Sequence, residues 1–305
     1  MAKLAWMSVV ALAFTAHAHS TEFGTKNQGL KSDSGIKGPA YEQIVAELDE
    51  LARAYPTLAE KIQYGTTARG RPLAALKISR KSLSPVPAGA KAILIAGAIH
   101  GNEYLNVEDR LPRWFLETGI ADPGVKKFLD DGGAILLAPI LNPDGYANRD
   151  RENHNGKDLN RDFTVRRRNY FSFKETETKA LSEFVAEEIQ ESGRKLAVTM
   201  DYHCCIGAVL RPWSFKDSPP PASDMARFDT VGRILIETFG HRYKYGTTPD
   251  ILGYQALGTS KDYYYETYGA VALTFEGKYK EENQRFKEHT VMWQKIFAAT
   301  NAGLL

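Results

Sequence analysis

The chain has 305 residues, 43% hydrophobic and 25% charged, with 39 basic against 37 acidic residues and a formal net charge of +2. That length supports one globular domain with a large core and leaves room for a second. So even a balance, without a long basic patch, argues against nucleic acid as the main partner; the densest cluster, Arg166-Arg167-Arg168, reads as a solvated loop.

Lys3 precedes an almost wholly apolar run over residues 4–15, and Ala16-His17-Ala18 follows. A positive start, a short apolar core and an A-x-A site read as a Sec-type signal peptide. An N-terminal anchor is the alternative, but about a dozen apolar residues make a poor membrane span. We therefore expect residues 1–18 to be cleaved and the mature protein to be secreted or periplasmic, monomeric and not stably inserted in a membrane. Residues 19–39 are polar and rich in Gly, Ser, Lys and Thr, which reads as a flexible leader. Residues 40–305 show no repeat or shift in composition and read as one catalytic domain.

Within that domain, Tyr41, Ile44, Val45, Leu48, Leu51 and Ala52 keep helical spacing up to Pro56. Strand-like runs at 61–64 and 73–78 enclose a turn at 66–71. A continuous apolar strand at 92–97 runs towards His100. Another, at 134–138, leads to Asn142-Pro143-Asp144-Gly145, a turn by composition. Residues 175–188 look helical, 195–200 form a strand leading to His203, 224–239 a helix, and 270–275 a strand ending at Glu276. Apolar strands alternating with helices predict an α/β fold with a buried sheet. His100, His203 and Glu276 all fall just beyond predicted strand ends, where open α/β sheets gather their ligand sites. The adjacent Cys204 and Cys205 make no disulfide framework. A bond between neighbours is strained, so two buried thiols are expected.

His100-Gly101-Asn102-Glu103 has the form H-x-x-E, whose His and Glu can converge on one ion from a turn. A third ligand from a distant strand end would complete a His₂Glu set with one position open. His203 follows a strand and has few rivals. Alone the pattern is weak, and a buried His beside a surface Glu is the better reading of it.

Other residues, in order, carry a resemblance: Asn142-Pro143-Asp144-Gly145-Tyr146, Arg151-Glu152-Asn153, Asp158-Leu159-Asn160-Arg161, Tyr202-His203, Gly253-Tyr254-Gln255-Ala256 and Thr274-Phe275-Glu276. With the H-G-N-E variant at 100–103, this series resembles the zinc carboxypeptidase A family over roughly residues 41–297. The resemblance implies a mixed, mostly parallel sheet of about eight strands flanked by helices. It implies one zinc ion held by His100, Glu103 and His203, with Glu276 as general base on the attacking water. Arg151 would stabilise the oxyanion, with Arg149 the lesser candidate. Asn160 and Arg161 would hold the substrate's terminal carboxylate, a task suited to a bidentate guanidinium. Tyr254 would close over the substrate. The leader is too short for an inhibitory prodomain, and none is expected.

Seven residues after Tyr254, at the position that the resemblance places at the base of the side-chain pocket, stands Lys261. A buried ammonium calls for an anionic partner. The expectation is a zinc-dependent carboxypeptidase preferring C-terminal Glu or Asp, with Arg211 able to share the role. Internal pairing of Lys261 with Asp201 or Asp262 is the competing expectation. A murein-peptide hydrolase acting on γ-D-Glu–diaminopimelate bonds is the alternative activity, so the partner is a peptide or a muropeptide. A non-catalytic peptide-binding module is disfavoured by the intact ligand set and Glu276. Zinc suits His₂Glu, although other divalent ions can occupy such sites.

Overall fold

In the computed structural model, residues 33–305 are described; the apolar N-terminal run and its A-x-A site lie outside them. Helix α1 (Tyr41–Ala54) buries Tyr41, Ile44, Leu48 and Leu51 on one face, as their spacing demands. Antiparallel β1 (Ala59–Thr66) and β2 (Pro72–Ser79) follow. Then come β3 (Lys91–Gly97), α2 (Leu111–Glu117), α3 (Pro123–Asp130) and β4 (Ala134–Ala138). The chain continues through α4 (Pro143–Asn148), α5 (Thr176–Ser192), β5 (Lys195–Arg211) and α6 (Ala222–Phe239). It ends with β6 (Lys244–Thr247), α7 (Thr248–Leu252), α8 (Ser260–Tyr268), β7 (Val271–Lys278) and α9 (Phe286–Asn301).

The seven strands form one mixed sheet in the order β1-β2-β4-β3-β5-β6, with β7 against β5. β3 runs parallel to β4 and β5, and β6 parallel to β5. β5 passes β7 twice. Its residues 198–205 climb in register from Val271 to Lys278, and residues 208–210 descend from Glu276 to Thr274. Glu276 therefore faces His203 on one side and Ala208 on the other. Counting both passes, the expectation of about eight strands is met by seven segments. The reversal falls at residues 204–207, where Gly207 takes φ +70°, a conformation that costs glycine little.

Strand alternation divides the chemistry between two faces. Tyr202 and Phe275 point one way, where the Tyr202 hydroxyl accepts from Trp293 Nε1 of α9 at 3.0 Å and the two rings lie 5.4 Å apart. Trp293, Phe297 and Phe115 are fully buried around this face, each contributing roughly 1.5–3 kcal/mol of apolar burial. Asp201, His203, Thr274 and Glu276 share the other face, beside α8. No helix among the described residues is long and apolar enough to cross a membrane.

Three local expectations are corrected. The supposed turn at Asn142 is the start of α4: the Asn142 side chain caps it by accepting from Gly145 N–H at 2.9 Å, with Pro143 at the first helical position. The leader is docked over its last residues, because Ser34 is fully buried, Ser34 N–H donates to the Asn102 carbonyl and Lys280 N–H donates to the Ser34 carbonyl. Cys204 and Cys205 are disulfide-bonded rather than free, their Cα atoms 3.1 Å apart at the reversal.

Candidate metal centre and active site

His100 lies three residues past β3, in a turn closed by Glu103 N–H donating to the His100 carbonyl at 3.0 Å. Gly101 lets this turn sit against α4, since a Cβ there would come within 2.0 Å of the Gly145 carbonyl carbon. The turn aims both side chains at His203 on β5. Glu103 Oε2 lies 3.0 Å from His100 Nδ1 and 3.0 Å from His203 Nδ1, and the three candidate ligand atoms all lie within 4.8 Å of one another. His203 and Glu276 sit inside their ladders rather than beyond them, because β5 and β7 run longer than their apolar cores indicate.

Each imidazole is held from behind. His100 Nε2 is 2.9 Å from Asp158 Oδ1, and His203 Nε2 is 3.0 Å from Asp201 Oδ2. Carboxylates in these positions fix ring orientation and leave both Nδ1 atoms for a metal. Two imidazoles supported in this way, with a carboxylate held by Arg151 and the Cys204 N–H, fit a zinc ion. Burial pushes the Glu103 carboxyl up, but His100 and His203 hold it well below the usual range. Burial pulls His203 down, yet Asp201 and Glu103 raise it well above the usual value. The pocket thus favours positive charge, and a divalent cation satisfies that demand as protons leave.

Glu276 lies across the ladder from His203. Burial pushes its carboxyl up to about 7, against the pull of His203, and its Oε2 has no partner among the described residues. Arg151 Nη1 reaches Glu103 Oε1 at 2.8 Å and His100 Nδ1 at 3.1 Å, while Nη2 holds Asp158 at 2.9 Å. Arg149 is elsewhere, pinning the N-terminal strap through Asp33 and the Ile36 carbonyl, so it is not a rival of Arg151. Asn160 and Arg161 sit on a single 3-10 turn that Asp158 caps. Asn160 Oδ1 accepts from Ser260 N–H at 3.0 Å and its Nδ2 is 3.4 Å from His203 Nε2; Arg161 Nη1 donates to the Asn160 carbonyl. Tyr254 is half-buried beside Arg161, and burial raises its phenol.

Lys261 is 2% exposed on α8, and its Nζ donates to Ser214 Oγ at 2.5 Å and Thr248 Oγ1 at 3.1 Å. The competing internal pairing makes no direct contact: Asp262 accepts from Ser214 N–H, and Asp201 is engaged by His203 and Ser260. Asp262 attracts the ammonium from a distance, but burial dominates and lowers its pKa. Arg211 turns to the Pro212 carbonyl and lines a neighbouring cavity with Trp213 and Lys216. The arginines at 166–168 are exposed, as expected, although Arg167 lies over the Trp213 ring and Arg168 over that of Phe215.

Asp158 and Asp201 are the functional side chains that sequence reasoning missed as supports of the histidines. Asp201 was detectable, because i, i+2 on a strand puts it on the face of His203. Asp158 reaches His100 through a loop, and no local spacing announces it. Ser214 and Thr248 were likewise unforeseen.

A profile of the zinc carboxypeptidase family matches residues 44–297. Mast cell carboxypeptidase A of Homo sapiens is 26% identical over 278 residues, covering 80% of this chain and 64% of its own. Carboxypeptidase A1 of Rattus norvegicus is 26% identical over 270 residues, covering 77% and 61%. The chain thus spans less than two thirds of the length of these relatives. The crystal structure of carboxypeptidase A from Helicoverpa armigera shares the fold, with a TM-score of 0.68 at 19% identity over 87% of this chain and 73% of that one. With the profile matched from α1 into α9, the chain belongs to the zinc carboxypeptidase family.

Proposed function

We propose that this protein is a zinc-dependent carboxypeptidase that binds one ion through His100, Glu103 and His203 and removes C-terminal residues, preferring Glu or Asp. The observation that carries the reading is the ladder register that sets Glu276, with one unpartnered buried oxygen, opposite the candidate ligand His203. Zinc in this site would supply a Lewis acid to polarise the scissile carbonyl and acidify water. The remaining work belongs to side chains. Glu276 takes a proton from the attacking water on its free oxygen and passes it to the departing amine. Arg151 faces the ligand cluster with a fixed guanidinium, suited to the charge that develops on the carbonyl oxygen. Arg161 and Asn160 bind the terminal carboxylate, which restricts cleavage to the chain end. Tyr254 covers the bound end and excludes water.

The acidic preference rests on Lys261. Two neutral hydroxyls accept from its ammonium, no carboxylate among the described residues pairs with it, and one N–H is left for a substrate anion. A signal peptide over residues 1–18 makes a secreted or periplasmic site of action part of the proposal. The test compares release from peptides ending in Glu, Lys and Phe, with and without chelator, alongside purified muropeptides. A chelator-sensitive preference for Glu supports the reading. Preference for Phe or Lys refutes the acidic pocket, and cleavage of muropeptides alone transfers the activity to the cell wall.

A further inference from the structure

Asp201 employs only one of its oxygens. Oδ2 takes His203 Nε2 and the Ser260 hydroxyl, while Oδ1 is buried without a partner among the described residues. The Tyr264 hydroxyl on α8 is in the same condition. Asp201 is 5% and Tyr264 2% exposed. Both line one cavity of about 10 Å³, whose other polar side chains are Thr199 and Ser260. An enclosed space of this size holds one water when about two to four polar partners surround it, whereas a dry cavity of that kind is apolar.

We propose that one buried water occupies this cavity, accepting from the Tyr264 hydroxyl and donating to Asp201 Oδ1. Tyr264 is then a positioning residue for His203. It acts through the water on Asp201, and Asp201 holds the imidazole so that Nδ1 faces the metal. Both Asp201 oxygens become engaged, which locks the carboxylate plane against rotation. The sequence fits this chain of contacts. Asp201 and His203 share a strand face, and the β7 residue across from Asp201 is Thr274, two before Glu276. The hydroxyl of Tyr264 therefore bears on the metal site through Asp201.

The test is Tyr264→Phe in the full chain, an exchange that removes one oxygen and keeps the ring. Zinc dissociation is measured by competition with a chromophoric chelator, and a high-resolution crystal structure of the wild type examines the cavity. Partners that orient metal ligands are worth about 10–100-fold in affinity. One contact further out, zinc affinity is expected to fall about 3–10-fold, with peptide KM unchanged and zinc-free thermal unfolding close to wild type. The wild-type map should show one water within about 2.6–3.2 Å of both atoms. A dry cavity, a direct Tyr264–Asp201 hydrogen bond, or zinc affinity within twofold of wild type overturns the proposal. The map decides the matter alone if the variant does not fold. The inference rests on His203 being a metal ligand; a wild type that binds no zinc refutes that reading instead.

Discussion

Replacing Lys261 by Met removes the ammonium and keeps most of the side chain's volume. Lys261 has three N–H donors and spends two on Ser214 and Thr248. In the proposed reading a substrate carboxylate would gain one charge-assisted hydrogen bond, worth about 1.5–3 kcal/mol. At 1.36 kcal/mol per decade this is roughly 10- to 150-fold in kcat/KM. We predict that Lys261→Met lowers kcat/KM by that factor for a peptide ending in Glu and leaves or raises it for one ending in Phe. The proposed preference would also depend on pH, with a definite sign. Burial lowers the Lys261 pKa, so the ammonium is lost before pH reaches the usual lysine value of about 10.4. The Glu-over-Phe ratio should fall as pH rises towards that value, and the ratio for Lys261→Met should stay flat. The assay is steady-state kinetics on matched peptides at several pH values. An unchanged Glu-to-Phe ratio in Lys261→Met, or a wild type that prefers Phe, refutes the reasoning.

Other consequences follow from the same contacts. Asp201→Asn can present its amide N–H to His203 and disturb the tautomer, so zinc affinity should fall about 10–100-fold; chelator competition reads this directly. In the zinc-free protein, Glu276 and Glu108 are pushed up by burial to about 7 and about 8, and His203 is raised by its carboxylates. Each raised group adds stability at low pH that is lost as pH climbs through its folded pKa. The depressed Glu103 and Asp158 contribute nothing variable in that window. The thermal midpoint of chelated protein should therefore be higher at pH 5.5 than at pH 8, and Glu108→Gln should shrink the difference; a midpoint that rises with pH contradicts this. Asn142→Ala removes the α4 cap and should cost about 1 kcal/mol in denaturant unfolding.

The buried strands were the legible part of the fold. Residues 92–97 and 134–138 are continuous apolar runs, and 195–200 and 270–275 are mostly apolar, broken only by Lys195, Thr199 and Thr274, because parallel strands covered on both faces have no solvent side to mark. What hid was whatever tertiary contacts extend or redirect. β5 continues through polar Asp201 and His203, whose partners come from β7, α8 and distant loops. α8 is dominated by tyrosines and charges, and it forms because Tyr263, Tyr264 and Tyr265 are buried against the sheet. α9 went unread, although His289, Met292, Trp293, Ile296 and Phe297 keep helical spacing on its buried face. For the site, the candidate ligands and Glu276 stood out only as members of an ordered series. H-x-x-E is too short to stand alone, and the histidine supports depend on register and loops. Lys261 was visible as a residue, but its two hydroxyl partners, Ser214 just after β5 and Thr248 of α7, come from segments that the chain brings together with α8 only when folded.

The most direct measurement pairs zinc content with product release for wild type and Glu276→Gln. Both proteins are loaded with zinc, dialysed, assayed for metal per chain and incubated with a peptide mixture. The predicted result is one zinc per chain in each, single C-terminal residues released by the wild type, and release slowed at least about 100-fold in the variant, as expected for loss of a general base. Equal release by Glu276→Gln, or no release by zinc-loaded wild type from any peptide or muropeptide, would contradict the proposed catalysis.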